Sequence, residues 1–169
     1  MTAPAFSIRR TTADDWLQLR SLRLEMIRDT PIAYLETLEA ALAHPESYWR
    51  AQAARGVADG SIKVVAVRAD GRWLGTMSGY VPTPRAGPTL VAVYVAPDVR
   101  GRAAGVTDAL LDAIESWARE LGGTLALEVH ERNDRARAAY RSRGFVETGG
   151  STPYALDPSE QDLHMLKAL

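Results

Sequence analysis

The stretch Leu90-Val-Ala-Val-Tyr-Val-Ala-Pro-Asp-Val-Arg-Gly-Arg-Ala-Ala-Gly-Val-Thr107 decides the fold. Its opening, Leu90 to Ala96, is the most apolar short run in the chain, as expected of a fully buried strand. Pro97 ends that run because it brings no N–H to a sheet ladder. A glycine-containing loop, Asp98 to Thr107, then feeds an amphipathic helix with an apolar stripe of Ala109, Leu110, Ala113, Ile114, Trp117 and Leu121, stopped by Gly122-Gly123. A strand that runs through such a loop into a helix suits an anion, because the helix start offers unpaired N–H groups and the positive end of its dipole. The loop has neither the Gly-Lys-Ser/Thr of a Walker motif nor the three glycines of the dinucleotide fingerprint. On its own, a loop of this kind is more often structural than ligand-binding.

Upstream of this stretch, Ile62 to Arg68 is β-branched, Asp70-Gly71 is a two-residue hairpin turn, and Trp73 to Val81 returns as the partner strand. A loop with Pro82, Pro84, Gly87 and Pro88 follows. Nearer the start, Phe6 to Arg10 alternates briefly, and Thr12 precedes a helical pattern of Trp16, Leu19 or Leu22, and Met26, with Asp14 and Asp15 in its first turn. Thr30-Pro31 breaks it. A second helical stretch of Leu35, Leu38 and Leu42 runs to His44-Pro45, and a short helix with Tyr48-Trp49 ends near Gly56. Downstream, Leu125, Leu127 and Val129 alternate as a strand, Asn133-Asp134 starts a short helix carrying Ala136, Ala139 and Tyr140, and Gly144 closes it before Phe145-Val146. The tail from Leu163 to Leu169 is expected to supply one last strand. Without internal repeats, helices around a central group of strands imply a single α/β (α+β) domain over residues 1–169.

Composition bounds the function. The 169 residues are 46% hydrophobic and 24% charged, and 20 Lys+Arg against 21 Asp+Glu leave a net charge of -1, which excludes nucleic-acid binding driven by overall charge. Cysteine is absent, which removes disulfides, thiolate metal sites and a cysteine nucleophile. His44, His130 and His164 have no ligand spacing, so no metal is expected. The start of the chain has no basic leader, and no run reaches the roughly 18 apolar residues of a spanning helix. A soluble, cytoplasmic protein with no membrane or nucleic-acid partner is expected.

Val93-Tyr-Val95-Ala-Pro97, the Arg/Gly loop, Leu110-Leu111, Leu127-Glu-Val129, Asn133, Ala136, Tyr140 and Gly144-Phe145 occur in an order that resembles the GCN5-related N-acetyltransferase (GNAT) family. The resemblance is dense from about residue 90 to 150 and looser toward both ends. It implies a mixed, mostly antiparallel central sheet flanked by helices, and acetyl-coenzyme A as co-substrate. The family's loop pattern, Gln/Arg-x-x-Gly-x-Gly/Ala, fits here in two registers, starting at Arg100 or at Arg102. The first puts Ala103 and Gly105 at the small positions, the second Gly105 and Thr107. The family's paired leucines lie five and six residues past the first small position, which favours Arg102, counting from Gly105 to Leu110 and Leu111. In either register the amides of Arg102, Ala103, Ala104, Gly105, Val106 and Thr107 are the pyrophosphate cradle that the resemblance implies. A Thr at the second small position either bonds a phosphate oxygen or crowds it.

The resemblance further implies that main-chain groups of Val93 and Val95 bond the pantetheine arm, although both valines also read as core. Attack of an amine on a thioester needs a neutral amine, a polarised carbonyl and a protonated leaving thiolate. Glu128 points opposite to Leu127 and Val129 on an alternating strand and is the candidate base; the bland alternative is a polar residue on the wetter face. Partial burial would make it a stronger base. Family members use the tyrosine at the Tyr140 position to protonate the departing sulfur; it can also simply fill core beside Ala136. Asn133 contacts the coenzyme or caps its helix. Of Arg132, Arg135, Arg137, Arg141 and Arg143, only Arg143 is assigned to the coenzyme, the rest being read as a solvated face. His130 is secondary for proton traffic and is otherwise ordinary polar surface.

The acceptor, a small-molecule or peptide amine, is expected between the segment Tyr34 to Tyr48 and the loop Pro82 to Pro88, with Glu36, Glu39 and Glu46 either attracting a cation or simply exposed. A homodimer is compatible with all of this. Two rivals stay open: use of another acyl-coenzyme A, and a non-catalytic coenzyme A-binding module.

Overall fold

The computed structural model describes residues 5–83 and 85–169; Pro84 of the expected loop and the first four residues of the amino-terminal stretch lie outside them. Seven strands form one sheet: β1 (Phe6–Arg10), β2 (Ser61–Arg68), β3 (Trp73–Tyr80), β4 (Thr89–Val95), β5 (Thr124–His130), β6 (Val146–Tyr154) and β7 (Asp157–Ala168), in the order β1-β2-β3-β4-β5-β7-β6. Every neighbouring pair is antiparallel except β4 and β5. Helices α1 (Trp16–Asp29), α2 (Leu38–Ala43) and α3 (Glu46–Ala54) precede β2, while α4 (Val106–Arg119) and α5 (Asp134–Arg141) flank β5. The domain is a single mixed α/β unit with a mostly antiparallel sheet.

Two cores sandwich the sheet. On one face α4 packs Leu110, Ile114 and Trp117 against Ile62, Val64, Met77 and Leu125. Gly79 permits this approach, since a Cβ there would lie 2.5 Å from Trp117 Cζ3. The other face is covered by Leu22, Met26 and Ile27 of α1 and Trp49 of α3, packed with Tyr94. Strand β2 joins β3 through a hairpin as expected, but the turn closes from the Gly71 amide to Arg68 O at 2.9 Å over Ala69 and Asp70, one residue earlier than the expected Asp70-Gly71 pair, with Gly71 next at φ +88°.

Four further expectations change. Helix α2 starts only at Leu38, because Thr37 caps it by accepting from the Ala40 amide at 3.2 Å; Leu35 lies before it and is exposed. The α4 stripe takes in Val106, Leu111 and Ala118 instead of Leu121, which lies beyond the helix end and is exposed. The last strand starts at Asp157 rather than Leu163 and pairs with β6, a polar, glycine-bearing strand whose exposed face carries no apolar alternation to announce it.

The fourth concerns β4, which is not buried along its whole length: Val91, Ala92 and Val93 are only partly covered. The register with β3 skips from Thr76↔Tyr94 to Ser78↔Val91, and Ala92 takes φ +52° at this bulge. On its other side β4 pairs with β5 only at Thr89↔Ala126 and Leu90↔Leu127. Past those two pairs the parallel strands part. Among the described residues, no helix is long and apolar enough to cross a membrane.

Candidate active site

A cleft of about 1060 Å³ occupies the parting of β4 and β5 and reaches from the start of α4 to the strands β5 and β7. Val93, Val95, Glu128, Asn133, Tyr140 and Arg143 all line it.

At one end, two short 3-10 turns, Pro97–Val99 and Arg102–Ala104, deliver the chain to Gly105, whose φ of +71° is left-handed and suits glycine. Helix α4 begins at the next residue, and its first helical bond runs from the Ala109 amide to the Gly105 carbonyl, 3.0 Å. The amides of Val106, Thr107 and Asp108 therefore have no helical acceptor. A Cβ placed on Gly101 or Gly105 would meet nothing within 4 Å, so the loop is open on the side where a ligand would approach. Bare amides at a positive helix end fit a diphosphate.

The side chains of Arg100, Arg102 and Thr107 line this end, whereas Val106 turns into the core and Ala103 and Ala104 offer only main chain. Arg100 is held by Val95 O at 2.8 Å and by Asp29 at 2.5 Å. Arg102 donates to Ser142 O at 2.9 Å. Arg143 staples α5 to α4, donating from Nε to Asp108 Oδ1 at 2.6 Å and from Nη1 to Ala139 O at 3.1 Å. Asn133 caps α5, its Oδ1 accepting from the Ala136 amide at 3.2 Å, and faces the cleft as well. The remaining arginines of the expected basic face are mostly engaged: Arg132 with Glu160, and Arg137 and Arg141 with Glu147.

In the middle, Tyr140 packs edge-on against Phe145 at 5.7 Å. Burial raises the pKa of its hydroxyl, so it stays protonated at neutral pH. Tyr34, which the sequence did not single out, donates its hydroxyl to Val93 O at 2.9 Å. The carbonyls of Val93 and Val95 thus both carry partners from within the chain.

At the far end, the β5–β7 register sets Glu128 opposite His164 and His130 opposite Asp162. Glu128 Oε1 lies 3.2 Å from His164 Nε2 and accepts from Thr152 Oγ1 at 3.4 Å. Its side chain is 49% exposed, so the partial burial expected to strengthen it as a base is slight. Burial and the neighbouring Glu128 charge raise the pKa of Asp162, which makes it a better proton acceptor than an ordinary aspartate. Neither His164 nor Asp162 stands out in the sequence, because a polar residue on a terminal strand acquires meaning only through its cross-strand neighbour.

Two expectations fail. His130 is not surface: its side chain is fully covered, Nδ1 accepts from the Arg132 amide at 3.2 Å, Nε2 lies 2.9 Å from Glu160, and Tyr154 packs edge-on against the ring. Glu36 offers no charge to an incoming cation, since it bonds Arg23 at 2.9 Å and His44 at 2.7 Å with only 11% of its side chain exposed. Among the described residues, no group of three potential metal ligands occurs.

Comparison with known proteins agrees with this architecture. The family model "Acetyltransferase (GNAT) family" matches residues 21–145. An aminoglycoside N(6')-acetyltransferase type 1 from Stenotrophomonas maltophilia is 36% identical over 155 residues, covering 88% of this chain and 91% of that protein. Among solved structures, a ribosomal-protein-alanine N-acetyltransferase from Brucella melitensis superposes with a TM-score of 0.77 at 26% identity, over 96% of this chain and 99% of that one. A nourseothricin acetyltransferase is 32% identical with a TM-score of 0.59, over 65% of this chain and 66% of that one. The chain belongs to the GNAT family and is an acetyl-coenzyme A-dependent N-acetyltransferase.

Proposed function

We propose that the protein transfers the acetyl group of acetyl-coenzyme A to a primary amine of a small molecule or peptide, with Glu128 as base and Tyr140 as acid. The observation that carries this is the shared cleft: the bare amides at the start of α4, the Tyr140 hydroxyl and the Glu128–His164 pair all open onto the gap between β4 and β5. The bare amides at the start of α4, Val106 to Asp108, with Arg102 and Arg143 beside them, hold the diphosphate. The thioester supplies the carbonyl carbon to which the amine nitrogen bonds as the carbon–sulfur bond breaks. Glu128 removes the proton the amine must lose, directly or through water, and the neighbouring Asp162 and His164 stabilise or share it. The Tyr140 hydroxyl gives its proton to the sulfur as negative charge develops there.

A panel of primary amines incubated with acetyl-coenzyme A, read by thiol release and product mass, tests the activity. Tyr140→Phe is expected to lower kcat by roughly 10²-fold or more, and Glu128→Gln to alter the pH–rate profile. Full activity in Tyr140→Phe with chemistry rate-limiting, or an unchanged profile in Glu128→Gln, rejects the respective assignment. A second reading, an aminoglycoside acceptor, draws on the 36% identical relative and on the Glu128 and Asp162 carboxylates in the cleft wall.

A further inference from the structure

A second cavity, of about 410 Å³, lies between the sheet and the helices α1 and α3. Arg23, Tyr80, Val91 and Ala92 line both this cavity and the main cleft, so the two meet at the bulge of β4. Its floor is unusual. Lys63 and Ser78 are register partners on β2 and β3, and with Thr76 they make a polar, buried strip on a sheet face that helices cover.

Hydrogen-bond donors dominate what surrounds that strip. The Lys63 ammonium is buried and donates to Ser78 Oγ at 2.8 Å, and among the described residues no carboxylate comes within 4 Å of it or of Arg55. Arg55 stands over the Tyr80 ring, and Arg23 is shared with Glu36. The indole Nε1 of Trp49, a residue 2% exposed, is buried with no acceptor. A buried ammonium without a counter-charge and a buried N–H without an acceptor are each costly, and both residues line this cavity. Leu19 and Met26 supply apolar wall for a short alkyl chain.

We propose that this cavity is a carboxylate-binding subsite, in which Lys63, Arg55 and the Trp49 indole hold the far end of the acceptor, so that the amines acetylated are aminocarboxylates. The proposal rests on the N-acetyltransfer reading above and narrows its acceptor. Composition adds a point in its favour: only Lys63 and Lys167 are lysines, and Lys167 pairs with Glu115, so Lys63 is the lysine kept inside without a partner carboxylate. An aminoglycoside, which carries amines throughout, would bring more cations to this wall.

The test compares ω-amino acids of graded chain length with the matching ω-amino amides as acceptors. At the best length the acid is expected to exceed the amide in kcat/KM by about tenfold or more, mainly through KM, since a charge-assisted anchor is lost with the amide. In Lys63→Met, and in Lys63→Gln as the polar control for folding, that ratio falls toward one. A readout that needs no turnover is the Trp49 indole N–H resonance, assigned with Trp49→Phe. It is expected to shift saturably with hexanoate, not with hexanamide, and to stop responding in Lys63→Met. If amines are acetylated but acid and amide react equally, if aminoglycosides outrun every aminocarboxylate, or if the indole signal ignores hexanoate, the subsite is wrong while the acetyltransferase reading stands. If the indole responds to hexanoate but no amine is acetylated, the anion site stands and the acceptor reading fails.

Discussion

Lys63 is held in a state its surroundings disfavour. Burial pushes its ammonium down from 10.5 to about 8, with Arg23 and Arg55 adding to the effect. In the unfolded chain the group titrates near the ordinary lysine value, so between about pH 8 and 10.5 the unfolded state binds more protons and stability rises with pH. Below about pH 8 the whole penalty is present, about 3 kcal/mol by the size of the shift. Lys63→Met is therefore expected to be more stable than the parent near pH 7, by roughly 1–3 kcal/mol, with the advantage shrinking toward about pH 10. Urea denaturation at the two pH values checks this, and an equal difference at both contradicts it. In the sequence Lys63 is one polar residue inside a β-branched run, indistinguishable from a strand's solvent-facing lysine. That Tyr140 and Glu128 share the cleft was legible because a motif surrounds them. Asp162, His164 and Tyr34 were not, because their partners lie across the sheet or on another layer.

At the scale of elements, the loop into α4 places two demands on one residue. Gly105 adopts φ +71° and precedes the bare amides of Val106 to Asp108. Gly105→Ala is expected to destabilise the fold by about 1–2 kcal/mol through left-handed strain and also to weaken coenzyme A binding by about tenfold. Gly71, at φ +88° in the hairpin turn, separates the two effects. Gly71→Ala should lower the melting temperature by a similar amount and leave the coenzyme A Kd unchanged, as calorimetry on both variants would reveal. An unchanged Kd in Gly105→Ala would move the cradle elsewhere. The elements with strong local signals were readable in advance: the α4 stripe, the β2–β3 hairpin, and the Asn133 cap of α5. The hairpin of β6 and β7 was read only at its end, since Val146 to Ser151 is exposed, mostly polar and interrupted by Gly149-Gly150, and β6 pairs with β7 alone at the sheet edge. The bulge at Ala92 escaped for a similar reason. Nothing in the apolar run Leu90 to Ala96 marks the residue that takes positive φ.

For the whole molecule, the decisive feature is that one sheet is antiparallel everywhere except at β4 and β5, which pair at two positions and then separate. The gap opens the sheet's interior main chain to a ligand, and α4 aims its amino terminus at the mouth. The family resemblance pointed to a mostly antiparallel sheet and to the loop into α4 as the diphosphate cradle, while hydrophobic periodicity supplied only strands and helices of suitable length. Composition excluded a cysteine nucleophile but said nothing about the second cavity, which exists only once α1 and α3 cover Lys63 and Ser78. The most direct test of the assembled site is an amide-resolved NMR titration of the isotope-labelled protein with coenzyme A. The expected result is saturable binding with the largest shifts at Gly105, Val106, Thr107 and Asp108, accompanied by Val93, Val95 and Tyr140. Binding that leaves the start of α4 unmoved, or no binding at millimolar coenzyme A, would contradict the placement of the diphosphate there.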